Sequence, residues 1–241
     1  MSIKAYKCLA LREKLLSGEA NGLSGAKTYR YDTHVHTREI SLCGNLTAAE
    51  TVRQYKEKNF DGIVITDHYE EAFFLKTKDM PWEEQVKSYL RGYYSALECG
   101  EMIGITVLPG IELCLRGCWN EYLLFGMDLE LFINLPEMYN YTVEQLREAT
   151  KKHGIVMVQS HPFRLGTVIV EPKLLDGMEI YNGNPRHDSQ NYTAEIYAGQ
   201  NGLLKLSGSD CHHSVDVGRG GIAVNKRVSS TRELIAEQFY C

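Results

Sequence analysis

The chain has no long apolar run. In 241 residues nothing approaches the roughly twenty consecutive apolar positions a membrane helix needs. Its first residues, Met1 to Leu16, interleave Lys4, Lys7, Arg12, Glu13 and Lys14 with apolar side chains and form no signal-peptide core. A cytoplasmic protein is expected. Paired cysteines are missing too: the seven, Cys8, Cys43, Cys99, Cys114, Cys118, Cys211 and Cys241, include no CxxC, which argues against a zinc ribbon or a dithiol redox site. Positive charge is in deficit. With 26 basic residues against 31 acidic ones, the formal net charge is -5, and no global field draws the chain to nucleic acid. There is no internal repeat and no low-complexity tract. Gly218-Arg219-Gly220-Gly221 lacks the spacing of a phosphate-cradling nucleotide loop.

What is present describes a globular α/β chain. Hydrophobic content is 44% and charged content 24%, and the length suits one large core. Seven short β-rich runs alternate with helical patterns: Tyr29 to Val35, Gly62 to Thr66, Thr106 to Leu113, Tyr122 to Phe125, Ile155 to Gln159, Met178 to Tyr181 and Leu203 to Ser207. Thr47-Ala48-Ala49-Glu50 and Thr142-Val143-Glu144-Gln145 have capping-box spacing. Val86, Tyr89, Leu90, Tyr93 and Leu97 recur at helical spacing between Trp82 and Glu98, which predicts one helix with these residues on its buried face. Thr231 to Tyr240 reads as a terminal helix. Such alternation predicts parallel pairing with right-handed crossovers. Glu112 and Tyr122 are too close for a crossover helix, so the barrel is expected to be irregular there. Residues 1–28 read as a lead-in containing a short helix, and residues 29–241 as a single domain.

The ends of these runs carry the chemistry. His34 and His36 are two apart, which on a strand places both imidazoles on one face, within reach of one ion at about 2.0–2.1 Å. Asp210 and His212 repeat that spacing. His68, Glu112 and His161 each close an apolar run. A parallel barrel gathers its strand ends at one rim, so these residues are expected to converge. Five histidines and two carboxylates exceed what one ion needs, and a cluster of two or three divalent ions is expected. Glu112 is the candidate bridge between ions and a catalytic candidate; bridged ions acidify a shared water to a hydroxide nucleophile. Mixed nitrogen and oxygen donors suit zinc, manganese or iron. Asp67, the second catalytic candidate, points away from His68 on a regular strand, and its expected part is to orient a ligand histidine. Arg164 is a candidate phosphate grip, and Asn182 a candidate substrate contact at a strand end. His153, before Gly154, reads as a favourable cation at a helix C-terminus. The set points to a metal-dependent hydrolase.

In order, Asp32-Thr33-His34-Val35-His36-Thr37, Ile65-Thr66-Asp67-His68-Tyr69, Gly110-Ile111-Glu112, Ser160-His161-Pro162 and Gly208-Ser209-Asp210-Cys211-His212-His213 resemble the motifs of the PHP domain family, named for polymerase and histidinol phosphatase. The match runs from about Tyr31 to Gly221. It implies a distorted, TIM-like (β/α) barrel of seven strands with a trinuclear centre. It implies that His34, His36, Glu112 and Asp210 hold one ion, Glu112 and His161 a second, and His68 and His212 a third. It also implies phosphoester hydrolysis, here of a small-molecule phosphate ester. Hydrolysis of an amide or lactone, or a non-catalytic metal-binding module, are the alternatives. Two positions depart from the family pattern. The strand after Glu112 has no histidine, and Glu121 stands near the expected place. In the loop after His36, Glu39 is the first candidate ligand and Cys43 the next.

Overall fold

The computed structural model describes residues 27–238. The short N-terminal helix expected before residue 27 and the last residues of the terminal helix lie outside them. The strands are β1 (Tyr29–Val35), β2 (Gly62–Ile65), β3 (His68–Tyr69), β4 (Thr106–Cys114), β5 (Glu121–Phe125), β6 (Val156–Gln159), β7 (Gly177–Asn182), β8 (Leu204–Gly208) and β9 (Ile222–Val224). The helices are α1 (Ala48–Glu57), α2 (Glu71–Lys76), α3 (Trp82–Tyr89), α4 (Arg91–Ile103), α5 (Leu129–Asn134), α6 (Val143–His153), α7 (Asn191–Gln200) and α8 (Thr231–Gln238).

The sheet runs β8-β7-β6-β5-β4-β2-β1-β9, with β3 beside β4. Pairing is parallel except around β5, which is antiparallel to β4 and β6, and at β9, antiparallel to β1. The irregularity expected after Glu112 is therefore a β4–β5 hairpin. The ends of the sheet nearly meet. Val35 bridges Cys211 in parallel, His36 N donates to Cys211 O (3.0 Å), and Thr33 Oγ1 donates to Ser207 O (3.1 Å). The seven expected strands all form. The two short ones, β3 and β9, span two and three residues, too few to show a period.

Strand alternation divides the core. Val64, Leu108, Leu123, Phe125, Val158 and Leu206 pack inside the barrel with Leu234 and Ile235 of α8. Their neighbours Ile63, Ile65 and Val107 pack outward against α1 and α4. Two irregularities reset this alternation where the chemistry needs it. Between Asp32 and Val35, β1 carries one residue more than β2. Tyr31 therefore packs with the inner cluster while Val35 packs with the outer one, and His34 and His36 turn inward. Between Glu179 and Tyr181, β7 carries one residue more than β8, so Glu179 and Asn182 meet on one side.

The helices follow their caps. Thr47 and Thr142 each complete the expected reciprocal box with Glu50 and Gln145. His153 closes α6 before Gly154, which takes the left-handed conformation. The single helix expected over Trp82–Glu98 is two, joined at Leu90. Beyond that joint the buried face is Gly92, Ala96, Cys99 and Gly100, while Tyr93 and Leu97 are only half-buried. Small residues win because α4 lies close to the sheet: a Cβ at Gly92 would fall 2.3 Å from Thr37 Oγ1.

Gly208 marks a close approach beneath the site. A Cβ there would lie 2.3 Å from His34 Cβ and 3.0 Å from Glu179 Oε1. Gly208→Ala is expected to cost roughly 1–3 kcal/mol through overpacking, read as a lower urea midpoint with unchanged slope.

Candidate metal centre

Each element delivers its donor at the same end of the barrel. His34 and His36 come from the end of β1, His68 opens β3, Glu112 lies on β4, and Glu121 opens β5. His161 follows β6, and Asp210 and His212 follow β8. His161 and Asp210 take positive φ (28° and 51°), left-handed backbone that is strained for residues with side chains and common at functional sites.

Glu112 is the hub. Its carboxylate, fully buried, lies 3.2 Å from His34 Nε2, 3.4 Å from His36 Nε2, 3.0 Å from His68 Nδ1 and 3.2 Å from His161 Nε2. Asp210 Oδ1 lies 3.5 and 3.4 Å from the Nε2 atoms of His34 and His36 and 3.2 Å from His212 Nδ1. Glu121, at the start of β5, reaches His161 Nε2 at 3.1 Å and His68 Nδ1 at 3.7 Å. Four overlapping donor sets result: His34, His36 and Asp210; Glu112, Glu121 and His161; His36, His68 and His212; and His68, Cys114 and Glu121.

A second layer aims the rings. His34 Nδ1 donates to Glu179 Oε1 (2.8 Å), and Glu179 Oε2 accepts from His161 N (2.9 Å) and Asn182 Nδ2 (3.0 Å). Ser41 Oγ donates to Asp67 Oδ1 (2.8 Å), which leaves it to accept from His36 Nδ1 (3.0 Å) and from His68 N (3.1 Å). These partners set the tautomers of His34 and His36, leaving lone pairs on both Nε2 atoms. The two Nε2 atoms face each other at 3.0 Å. Two lone pairs that close need a cation, and two ligand atoms each about 2.0–2.1 Å from one ion stand about 2.8–3.4 Å apart, from right-angle to tetrahedral geometry. The donor set thus fits the divalent ions expected of it. Glu179→Ala is expected to lower zinc affinity 10–100-fold, measured by competition with a chelator.

Without metal, protons serve as the cations. Burial works against a charge on Glu112 and Asp210, but His34 and its neighbours hold both carboxyls well below the usual range. His34 and His68 are raised well above the ordinary histidine value despite burial, Glu112 contributing to both. His36, buried between His212 and His68, is lowered.

Several expected residues sit apart from the cluster. Glu39 lies at the start of α1, where its carboxylate accepts from Ala48 N (3.1 and 3.0 Å). Cys43 instead lines the cleft with His68 and His212. Asp67 faces away from the cleft, taking Thr37 N and Oγ1 (2.6 and 2.7 Å) with Ser41, and so acts on His36 through the serine. Asn182 stands behind the cluster: its amide donates to Glu179 and to Asp210 Oδ2 (3.2 Å), and Asn184 lines the cleft instead. Arg164 is on the cleft wall, Nη1 4.0 Å from Asp210 Oδ2. Glu179 was missed by sequence reasoning, although a carboxylate inside the apolar run Met178-Glu179-Ile180 was a readable signal.

The cleft above these donors holds about 800 Å³. The sequence matches the PHP domain over residues 32–238. The chain belongs to the PHP domain family. Several solved structures share its fold. A two-domain protein from Bacteroides vulgatus, described as containing a predicted PHP-like metal-dependent phosphoesterase, is 19% identical with a TM-score of 0.62, over 90% of this chain and 64% of that one. PsfC from Pseudomonas syringae is 20% identical with a TM-score of 0.60, over 87% and 88% of the two chains. The lesion-specific endonuclease PfuEndoQ from Pyrococcus furiosus is 15% identical with a TM-score of 0.61, over 89% of this chain and 57% of that one. The PHP chain thus spans less than two thirds of the Bacteroides and Pyrococcus proteins. No curated protein matches it. Membership of the PHP family and the donor set together support a metal-dependent hydrolase. Among the described residues no helix is long and apolar enough to cross a membrane.

Proposed function

We propose that the protein hydrolyses a small phosphate ester at a centre of two or three divalent ions. The observation that carries this reading is Glu112, enclosed by four imidazoles at the floor of a cleft whose walls include Arg164 and Arg186. His34, His36, Glu112 and Asp210 would hold one ion, Glu112, Glu121 and His161 a second, and His68 and His212 would be the donors for a third. Bound ions acidify water and offset charge developing on phosphoryl oxygens.

The chain's own residues supply the rest. Glu179 and the Ser41–Asp67 pair hold the imidazoles at fixed angles, so the donors need no reorganisation. Arg164 orients the phosphoryl group from the wall. Arg186 is tied to Asp216 by two bonds (2.8 and 2.7 Å), which fixes its guanidinium at the cleft rim with its charge paired.

The test is a substrate panel with manganese- or zinc-loaded protein: an aryl phosphate, nucleotides, an amide, a lactone and DNA. Turnover of phosphate monoesters above the rest is expected. DNA belongs in the panel because one structural neighbour is an endonuclease. Faster amide or lactone cleavage would reject the phosphate reading. Arg164→Ala is expected to raise KM for the phosphate ester roughly 10- to 100-fold, the worth of a charge-assisted hydrogen bond, with kcat changed less.

A further inference from the structure

Cys114 has no part in the three ion positions above, yet the β4–β5 hairpin brings it to their edge. It lies two residues after Glu112 on β4, on the same face. Its Cα partner across the hairpin is Glu121, and the Cα partner of Glu112 is His68. Cys114 Sγ is 3.0 Å from Glu121 Oε1 and 3.8 Å from His68 Nδ1. His68 Nδ1 is in turn 3.0 Å from Glu112 Oε2 and 3.7 Å from Glu121 Oε1.

We propose that Cys114 is a metal ligand, its sulfur joining His68 Nδ1, Glu112 Oε2 and Glu121 Oε1 in a set that selects a thiophilic ion such as zinc and that takes His68 in place of the third position above. Donors about 2.0–2.3 Å from one tetrahedral ion stand about 3.3–3.6 Å apart, and the four separations scatter around that value. A second observation points the same way. Glu112 Oε2 is buried and makes no hydrogen bond, although His68 Nδ1 is 3.0 Å away: the contact has the distance of a bond without its direction. Without metal the thiol donates its proton to Glu121. An entering divalent ion displaces that proton to solvent and takes the thiolate in its place. Soft sulfur then favours zinc over manganese or magnesium. Of the other thiols in the cleft, Cys118 bonds backbone carbonyls of Leu115 and Asn120, and Cys43 is the rival.

The proposal rests on the reading of the cleft as a metal centre, and cobalt separates the two. Metal-free full chain is loaded with cobalt(II). Visible ligand-field bands report binding, and an intense near-ultraviolet charge-transfer band reports a thiolate ligand. Both are expected in the wild type. Cys114→Ser is expected to lose the near-ultraviolet band, keep the visible ones and bind zinc at least tenfold more weakly, while Cys43→Ser keeps both bands. X-ray absorption at the zinc edge of the wild type, which needs no variant to fold, is expected to show one sulfur at about 2.3 Å. Visible bands without the near-ultraviolet band, or a near-ultraviolet band that survives Cys114→Ser, would overturn the thiolate and leave the metal centre standing. Absence of bound cobalt would overturn both.

Discussion

Glu112→Gln is expected to lower kcat/KM for phosphate ester hydrolysis by about 10²- to 10³-fold, the loss typical when a preorganised electrostatic contact at the reacting centre is removed. The substitution keeps the shape of the side chain and removes its charge. Four imidazole nitrogens within 3.4 Å of that carboxylate would then share a neutral amide. An amide nitrogen directed at any of them is a donor where an acceptor is needed, so ion binding suffers with turnover. Far-ultraviolet circular dichroism should be unchanged, because the barrel core packs from Val64, Leu108, Leu123 and their neighbours and not from Glu112. Bound metal per chain, measured beside steady-state kinetics, distinguishes loss of ions from loss of chemistry. Wild-type turnover in the variant would show that Glu112 does not bridge the ions.

The second large effect is linkage between protons and metal. In the metal-free protein His161 and His212 are both pushed up to about 10. Burial disfavours charge on each ring. Glu112 and Glu121 around His161, and Asp210 and Cys43 beside His212, outweigh it. Both values exceed the ordinary histidine value of about 6.5, so both rings are charged at pH 7. The two ions that take these nitrogens must each expel at least one proton. One released proton makes the affinity for each of these ions rise about 10-fold per pH unit between about pH 7 and 10. Calorimetric titration with zinc in two buffers of different ionisation enthalpy counts the protons directly, and a count near zero would contradict the assignment. Stability of the metal-free protein runs the other way. A raised folded value stabilises fully below about 6.5 and is lost as pH rises through about 10. Melting of the metal-free protein should therefore fall over that window, and melting of the loaded protein should not follow it.

Much of this was legible in the chain. His34 and His36, and Asp210 and His212, announced themselves because period-two spacing on a strand places side chains on one face. The strand ends converged as a barrel requires. The less legible parts are those where the chain breaks its own period. The extra residue in β1 decides which way His34 points, and no residue type marks it. A second extra residue, in β7, lets Glu179 and Asn182 share a side, which is why Asn182 looked like a substrate contact and stands behind Asp210 instead. Glu39 drew attention as an acid near the motif, but helix α1 begins beside it, and free backbone N–H groups hold its carboxylate. The break at Leu90 and the small-residue face of α4 depend on how closely the helix approaches Thr37, a tertiary distance that helical periodicity does not carry.

Anomalous diffraction from crystals grown with zinc or manganese, collected at the absorption edge of the metal, tests the centre most directly. At least two peaks are expected, one in contact with His34, His36 and Asp210 and one with His161 and Glu121, with Glu112 touching both. Peaks only at surface side chains, with these donors bonded to one another or to water, would contradict the account.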